Sequence, residues 1–408
     1  MNQRRWLVVV AVIVALVATL ASLSAPPAPA QPRTFTWKVQ SSFPVTDYPH
    51  RSLVEIARSI DEMSGGRLKI EPLPVGAVVG FFEVLDAVNR GALDGGLTWP
   101  GLWAGKNSAA GLFGSPLGGP FGMGQNEFTA WLFSGGGQEL YNDLLQKELK
   151  MDVVAHFTTI QPFWEAFGWL KKPMKNLEDL KKLKFRSSGI GLEMFKRMGI
   201  STVGMAGGDI VPSLERGVID GAEWAIPSRD IVMGFQQAAK YYYMPSFRQP
   251  PTFHELIINK KKWAELPPDL QAIVKYATMA EFTRLAAYTV DQDSKAAEEL
   301  ATKHGVNILR TPDQVLRAEL EGIDKAFDAE AQKNPFFAKV LAAQREYAKK
   351  TVAHAQKMTP PMEIAVRHYW QKKSPGRGEP APPAGSRFDP LPPAWAARAY
   401  ILVRDDRA

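Results

Sequence analysis

One phrase occurs twice in this chain, and that echo limits the folds open to it. Residues 83–95 read EVLDAVNRGALDG and residues 209–221 read DIVPSLERGVIDG. Arg90-Gly91 corresponds to Arg216-Gly217, Asp94-Gly95 corresponds to Asp220-Gly221, and a tryptophan follows each copy, Trp99 and Trp224. Each copy reads as a short apolar helix closed by a glycine, whose missing Cβ permits a left-handed cap, before the chain turns into a strand. A single echo builds no repeat array, so the expectation is two related α/β lobes. Two such lobes meeting face to face make a cleft, and ligands bind beyond the carboxyl ends of the strands.

The rest of the chain agrees with α/β alternation. Residues 35–40 alternate apolar and polar as a strand does, and residues 50–63 carry Leu53, Val54, Ala57 and Ile60 at helical spacing before Ser64-Gly65-Gly66. From Pro268 to His304 the helical pattern is almost uninterrupted, with Pro267-Pro268 at its start and Gly305 at its end. At 1.5 Å per residue that helix is about 55 Å long, whereas a lobe of ~130 residues is about 30–35 Å across, so it has to cross both lobes. A second helical stretch, 312–373, is broken at Asn334-Pro335. The expected organisation is lobe I from 31–155 and 250–305, lobe II from 156–249, C-terminal helices from 306–373, and a disordered Pro/Gly/Ala-rich tail from 374–408.

Residues 1–30 read as a secretory signal peptide. Arg4 and Arg5 precede an apolar run, and Ala28-Pro29-Ala30 offers a small-residue cleavage site. The alternative is a membrane anchor, for which the run is short. The chain has no cysteine, so it offers neither disulfides nor a cysteine for lipid attachment, and a free periplasmic protein is expected. The net charge of +7 falls mostly on the leader and tail, and no basic stripe with interleaved aromatics points to nucleic acid.

The segment with most chemistry is 184–224. Arg186 sits at the end of a short strand in KFRSSGIG, and Glu223-Trp224 follow the second Asp-Gly. A guanidinium suits a planar carboxylate because it offers two parallel hydrogen bonds. A glutamate cannot grip the same anion, but it can hold a cation that does. The plainer alternative is a structural ion pair between Arg186 and Glu223.

Taken together, WKVQSSFP (37–44), SGGRLKIEPLPVGAVV (64–79), WAGKN (103–107), KFRSSGIG, the two echo phrases and YYYMPSF (241–247) make a specific set. With these phrases in this order, the chain resembles the solute-binding subunits of tripartite ATP-independent periplasmic (TRAP) transporters over about residues 35–370. The nearer branch is the one that binds 2-oxo and 2-hydroxy monocarboxylates of the pyruvate and lactate type. The resemblance implies a two-lobed periplasmic binding protein-like α/β fold with a helix spanning both lobes. It also implies carboxylate binding by Arg186, and a bridging Ca²⁺ or Na⁺ held by Glu223, the Trp224 carbonyl and Glu255. Glu165 stands where many relatives carry glutamine; three glutamates would favour a divalent ion. Trp99, Trp103 and Phe121 are candidate cleft walls, although aromatics at such spacing are more often core. The implied partners are a small carboxylate and the TRAP membrane permease subunits, with a homodimer through the C-terminal helices a further option. The competing class is a periplasmic metal-dependent enzyme using Glu165 or Glu223 as base. It lacks a nucleophile elbow, a zinc-binding helix motif or a dinucleotide fingerprint in this sequence.

Overall fold

A computed structural model describes residues 6–7, 10–14, 16 and 33–370, the last range apart from 115–118, 190 and 250. The cleavage region and the tail from 374 lie outside the described residues. The described residues before Thr36 belong to a separate unit, in which residues 10–14 are helical; apart from Phe35, which opens the first strand, everything below concerns the unit from Thr36 onward.

Two sheets carry the fold. The first contains β1 (Phe35–Ser41), β2 (Leu68–Leu73), β3 (Gly95–Thr98), β4 (Val153–Gln161) and β10 (Thr252–Asn259), in the order β2-β1-β3-β10-β4. The second contains β5 (Gly168–Leu170), β6 (Lys184–Ser187), β7 (Ser201–Gly204), β8 (Gly221–Ala222), β9 (Tyr241–Met244) and β11 (Asn307–Arg310), in the order β11-β9-β5-β8-β6-β7. β1 pairs parallel with β3, and β6 parallel with both β7 and β8. β10 runs antiparallel between β3 and β4, and β5 antiparallel between β8 and β9.

The echo phrases build the same joint in both sheets. Helix Val84–Asn89 ends at Arg90 and turns through Gly91 (φ 75°) into β3, while helix Gly207–Glu215 ends at Arg216 and turns through Gly217 (φ 72°) into β8. The aspartates then perform matching tasks. Asp94 Oδ2 accepts the Lys38 amide at 2.8 Å in the first sheet, and Asp220 Oδ2 accepts the Lys184 amide at 2.9 Å in the second. Their own amides return to the Lys38 and Lys184 carbonyls at 3.0 and 2.9 Å. Each aspartate therefore satisfies both backbone groups of one residue on the neighbouring strand, which fixes register where the strand begins.

The long helix spans Pro268–Thr302. Near its start Asp269 pairs with Arg67 of the first lobe at 2.5 Å, and the helix packs on β4 and on helix Tyr48–Ser64. Near its end Ala297 and Leu300 join the second-lobe core of Trp169, Phe235 and Tyr242, in which Trp169 and Tyr242 stack at 4.1 Å. It thus ties both lobes, as its length requires. The C-terminal helices break at Asn334, whose side chain caps the next helix by accepting the Phe337 amide. Helix Asp313–Lys333 packs on helix Gly191–Arg197 of the second lobe. Helix Pro335–Met358 returns to the first, where Gln344 donates to the Leu112 carbonyl at 2.7 Å.

Sheet membership moves two expected boundaries, those at 155 and 306. β4 lies wholly in the first sheet, so the passage to the second lobe follows Gln161 rather than residue 155. β9, the YYYM segment, is a strand of the second sheet and lies inside the expected 156–249 range. β11 adds residues 307–310 to the second sheet, ahead of the C-terminal helices. Periodicity finds strands but cannot say which sheet accepts them, because that depends on pairing partners distant in sequence.

Candidate ligand-binding site

A cavity of about 60 Å³ lies between the lobes, lined by Phe43, Phe81, Phe82, Trp99, Arg186, Trp224, Arg229, Thr252 and His254, with Gly101, Leu102, Ser188 and Gly189 completing the wall. By the ~10–15 Å³ that one water needs on this measure, it has room for about four waters or one small acid. A larger hollow of about 490 Å³ beside Tyr48, Arg51, Arg284 and Tyr288 is more open and lacks the buried charge of the first. The chemistry lies in the smaller one.

Arg186 reaches the cavity from the end of β6 and is 2 % exposed. Its Nε and Nη2 donate to the Met205 carbonyl at 3.2 and 2.8 Å, and its Nη1 to the Glu223 carbonyl and Oε1 at 2.9 and 3.3 Å. Four of its five donors are therefore engaged on protein oxygens, and the structural ion pair with Glu223 is present alongside its place in the wall. Arg229 enters from helix Pro227–Met233. Asp47 grips it at two points, 2.8 and 2.6 Å, and Gln161 Oε1 accepts from it at 3.0 Å. The rings of Phe43 and Trp224 each lie 5.7 Å from its guanidinium carbon. The buried indole N–H of Trp224 makes no hydrogen bond, so it is a donor available to a ligand oxygen. Burial, reinforced by Arg229, holds His254 well below the usual imidazole range, so it is neutral at pH 7; its Nδ1 lies 3.0 Å from Thr159 Oγ1.

A third buried guanidinium stands behind this wall. Arg248 donates from Nη2 to Glu165 Oε2 at 2.8 Å and to the Ala166 carbonyl at 3.3 Å; its Nη1 lies 3.4 Å from Glu223 Oε2 and also contacts Gln249 Oε1. The other oxygen of Glu165 accepts from Gln161 and Thr252, both at 3.1 Å. Burial pushes the Glu165 carboxyl up and Arg248 pulls it back. For Arg248, desolvation opposes the charge, but Glu223 and Glu165 outweigh it and the net direction is upward. One guanidinium thus makes charge-assisted contacts to two buried carboxylates.

The sequence-predicted residues separate into two places. Arg186, Trp99 and Trp224 line the cavity, and Glu165 and Glu223 stand behind it. Trp103 and Glu255 do not join them. Glu255 Oε1 accepts from Thr98 Oγ1, Trp103 Nε1 and Tyr141 Oη at 2.9, 3.0 and 2.8 Å, and burial pushes its carboxyl up to about 7. The strand register aims this side chain at the first-lobe core, with a bulge between His254 and Glu255 separating it from the cavity-facing histidine. Phe121 packs instead under Arg345. Among the described residues no three of His, Cys, Asp and Glu converge on a point that could hold a metal ion. The expected three-glutamate cage is not formed: one member is elsewhere and the other two hold Arg248. Sequence reasoning missed Arg229, Arg248 and the wall of Phe43, Phe81, Phe82 and His254. The available signals were Arg229 in Pro-Ser-Arg-Asp just beyond Trp224, and Arg248 one residue beyond YYYMPSF.

Residues 41–333 match the model of the bacterial extracellular solute-binding proteins, family 7. The chain belongs to this family. A monocarboxylate 2-oxoacid-binding periplasmic protein of Nostoc sp. is 30% identical over 318 residues, 78% of this chain and 85% of that protein. A TRAP periplasmic solute-binding protein of Colwellia psychrerythraea, solved with calcium and pyruvate, is similar at a TM-score of 0.75 and 26% identity, covering 83% of this chain and 100% of that one. One from Pseudoalteromonas atlantica, solved with sodium and pyruvate, gives 0.73 and 26% over 80% and 97%. The two-lobed architecture with its spanning helix is thus that of a family 7 TRAP solute-binding protein, and its family role is transport. Among the described residues no helix is long and apolar enough to cross a membrane.

Proposed function

We propose that this protein captures a 2-oxo or 2-hydroxy monocarboxylate of the pyruvate and lactate type in the periplasm and presents it to TRAP membrane permease subunits. The observation that carries the reading is the small aromatic cavity with two buried guanidiniums, Arg186 and Arg229, in its wall. A cavity of this size suits a short acid, its aromatic rings accept a short aliphatic end, and the guanidiniums with the Trp224 indole N–H offer donors to a carboxylate and an adjacent oxygen. For a bidentate grip at Arg186 the acid displaces one of the carbonyl contacts now held by Met205 or Glu223. Relatives that bind pyruvate with sodium or calcium support the substrate class.

The metal is a separate matter. Of the ligands expected for Ca²⁺ or Na⁺, Glu255 is remote, and Glu165 and Glu223 are paired with Arg248, so the donor set as arranged does not fit a free cation. The relatives solved with sodium or calcium and pyruvate support a cation beside the acid, whereas the pairing of Glu165 and Glu223 with Arg248 leaves the grip in this chain to Arg186 and Arg229. The binding reading assigns no bond-breaking role to Glu165 or Glu223, since both are spent on Arg248, and the chain is read as a binder without turnover. The leader is read as a signal peptide for export. A homodimer gains support from helix Met362–Trp370, which buries none of its residues and exposes Met362, Ile364, Tyr369 and Trp370.

Fluorescence titration tests the substrate class, because Trp99 and Trp224 line the cavity. A saturable change with pyruvate, lactate or a longer 2-oxo acid is expected, and none with sugars or amino acids. A response to sugars alone would overturn the reading.

A further inference from the structure

Glu165 and Arg248 are two halves of one arrangement. Two buried carboxylates beside a pocket for an anion should repel the ligand, and the desolvated setting magnifies that repulsion. The structure offsets it from within the chain. Arg248 is 1 % exposed and its two terminal nitrogens reach Glu165 Oε2 and Glu223 Oε2 at 2.8 and 3.4 Å. Its further contacts, the Ala166 carbonyl and Gln249 Oε1, are also oxygens. Two carboxylates, a main-chain carbonyl and a side-chain amide oxygen make an oxygen shell of the kind that hard cations take. Here a guanidinium fills that shell, and a metal ion drawn to the same two carboxylates would have to stand against a buried positive charge that cannot be deprotonated.

We propose that Arg248 is a tethered cation: it neutralises Glu165 and Glu223 behind the cavity, and acid capture at Arg186 and Arg229 is independent of calcium and sodium. This rests on the carboxylate-capture reading above. Arg248 does not line the cavity, so its action on the acid runs through the two glutamates. Glu165 meets Thr252, and Glu223 meets Arg186, both of which do line it. The arrangement also changes how the ligand leaves. A bound metal must be released or exchanged with its substrate, whereas a side chain stays in place, so loading depends on the acid concentration alone.

Two measurements on the wild-type protein decide the matter. The first is calorimetric titration of the metal-free, acid-free protein with calcium. No site tighter than about 1 mM is expected, the weak end of extracellular calcium modules. The second is pyruvate titration in chelator with sodium replaced by choline, where affinity should change by less than about twofold. Arg248→Met keeps an unbranched apolar stem and removes the charge. It should gain at least about tenfold in calcium affinity and lose at least about tenfold in pyruvate affinity, with the loss reversed by added calcium. A micromolar calcium site in the wild type, or a tenfold loss of pyruvate affinity on chelation, would overturn the proposal, as would a folded Arg248→Met protein with no gain in calcium affinity. If Arg248→Met does not fold, the two wild-type titrations decide alone. A wild-type protein that binds no 2-oxo or 2-hydroxy acid in any ionic condition refutes the substrate reading, and the calcium titration still decides the role of Arg248.

Discussion

At the scale of single residues, Arg186 and Glu255 make opposite predictions. Arg186 serves two carbonyls and a carboxylate with a planar fork, which the point charge of lysine cannot reproduce. Arg186→Lys is expected to fold and to lose at least tenfold in acid affinity, about 1.4 kcal/mol, by calorimetry. Near wild-type affinity would mean that two-point recognition is not what Arg186 supplies. Glu255 should behave as a core residue. Its carboxyl titrates at about 7 in the folded chain because burial disfavours the charged form, against 4.5 for an ordinary glutamate. Between those values the folded state holds a proton that the unfolded state has lost, so its stabilising contribution is complete below pH 4.5 and disappears as pH rises through 7. Glu255→Gln should therefore flatten the fall in melting temperature between pH 5 and 7.5, an effect on the order of 1–3 kcal/mol, while leaving acid affinity unchanged. Loss of acid binding in that variant would return Glu255 to the site.

At the scale of elements, adjacent glycines at the head of helix Gly207–Glu215 have different reasons to be there. A Cβ on Gly207 would come within 2.5 Å of the Trp224 ring, whereas a Cβ on Gly208 meets nothing within 4 Å. Gly207 lets the helix approach the indole that forms part of the cavity wall. Gly207→Ala should push that ring, costing about 1–3 kcal/mol of stability and several-fold in acid affinity. Gly208→Ala should be neutral or stabilising by up to about 1 kcal/mol, since alanine is the better helix former. Thermal melts and acid titrations of the pair check this; equal behaviour would show that the Trp224 contact is not what requires glycine.

At the scale of the whole molecule, the cavity is closed by pairs that join the lobes. Asp47, at the cap of first-lobe helix Tyr48–Ser64, grips Arg229 of helix Pro227–Met233, and Gln161 at the end of β4 holds both Arg229 and Glu165. Asp47→Asn keeps the shape and removes the charge, leaving Arg229 buried without its partner. It should lower stability by about 3–5 kcal/mol. In small-angle scattering its acid-free form should be more expanded than the wild type, with acid recovering part of the compactness through hinge closure. Identical scattering profiles for the two proteins would show that this pair does not hold the lobes together.

The sequence alone determined what depends on local pattern and on phrases long enough to be specific. The duplicated joint at Gly91 and Gly217, the helix from Pro268, the break at Asn334-Pro335 and Arg186 at a strand end all follow from spacing and caps within a few residues. The family was readable because its phrases occur in a fixed order. Tertiary structure alone decided which charges meet. Glu165, Glu223 and Glu255 look equivalent as letters, yet strand register sends Glu255 into a cluster with Trp103 and Tyr141, while a crossing segment delivers Arg248 to the other two. Electrostatic partnership depends on distances of a few ångströms between residues as far apart as Asp47 and Arg229, 182 positions, or Arg67 and Asp269, 202 positions, and no local pattern records such a distance.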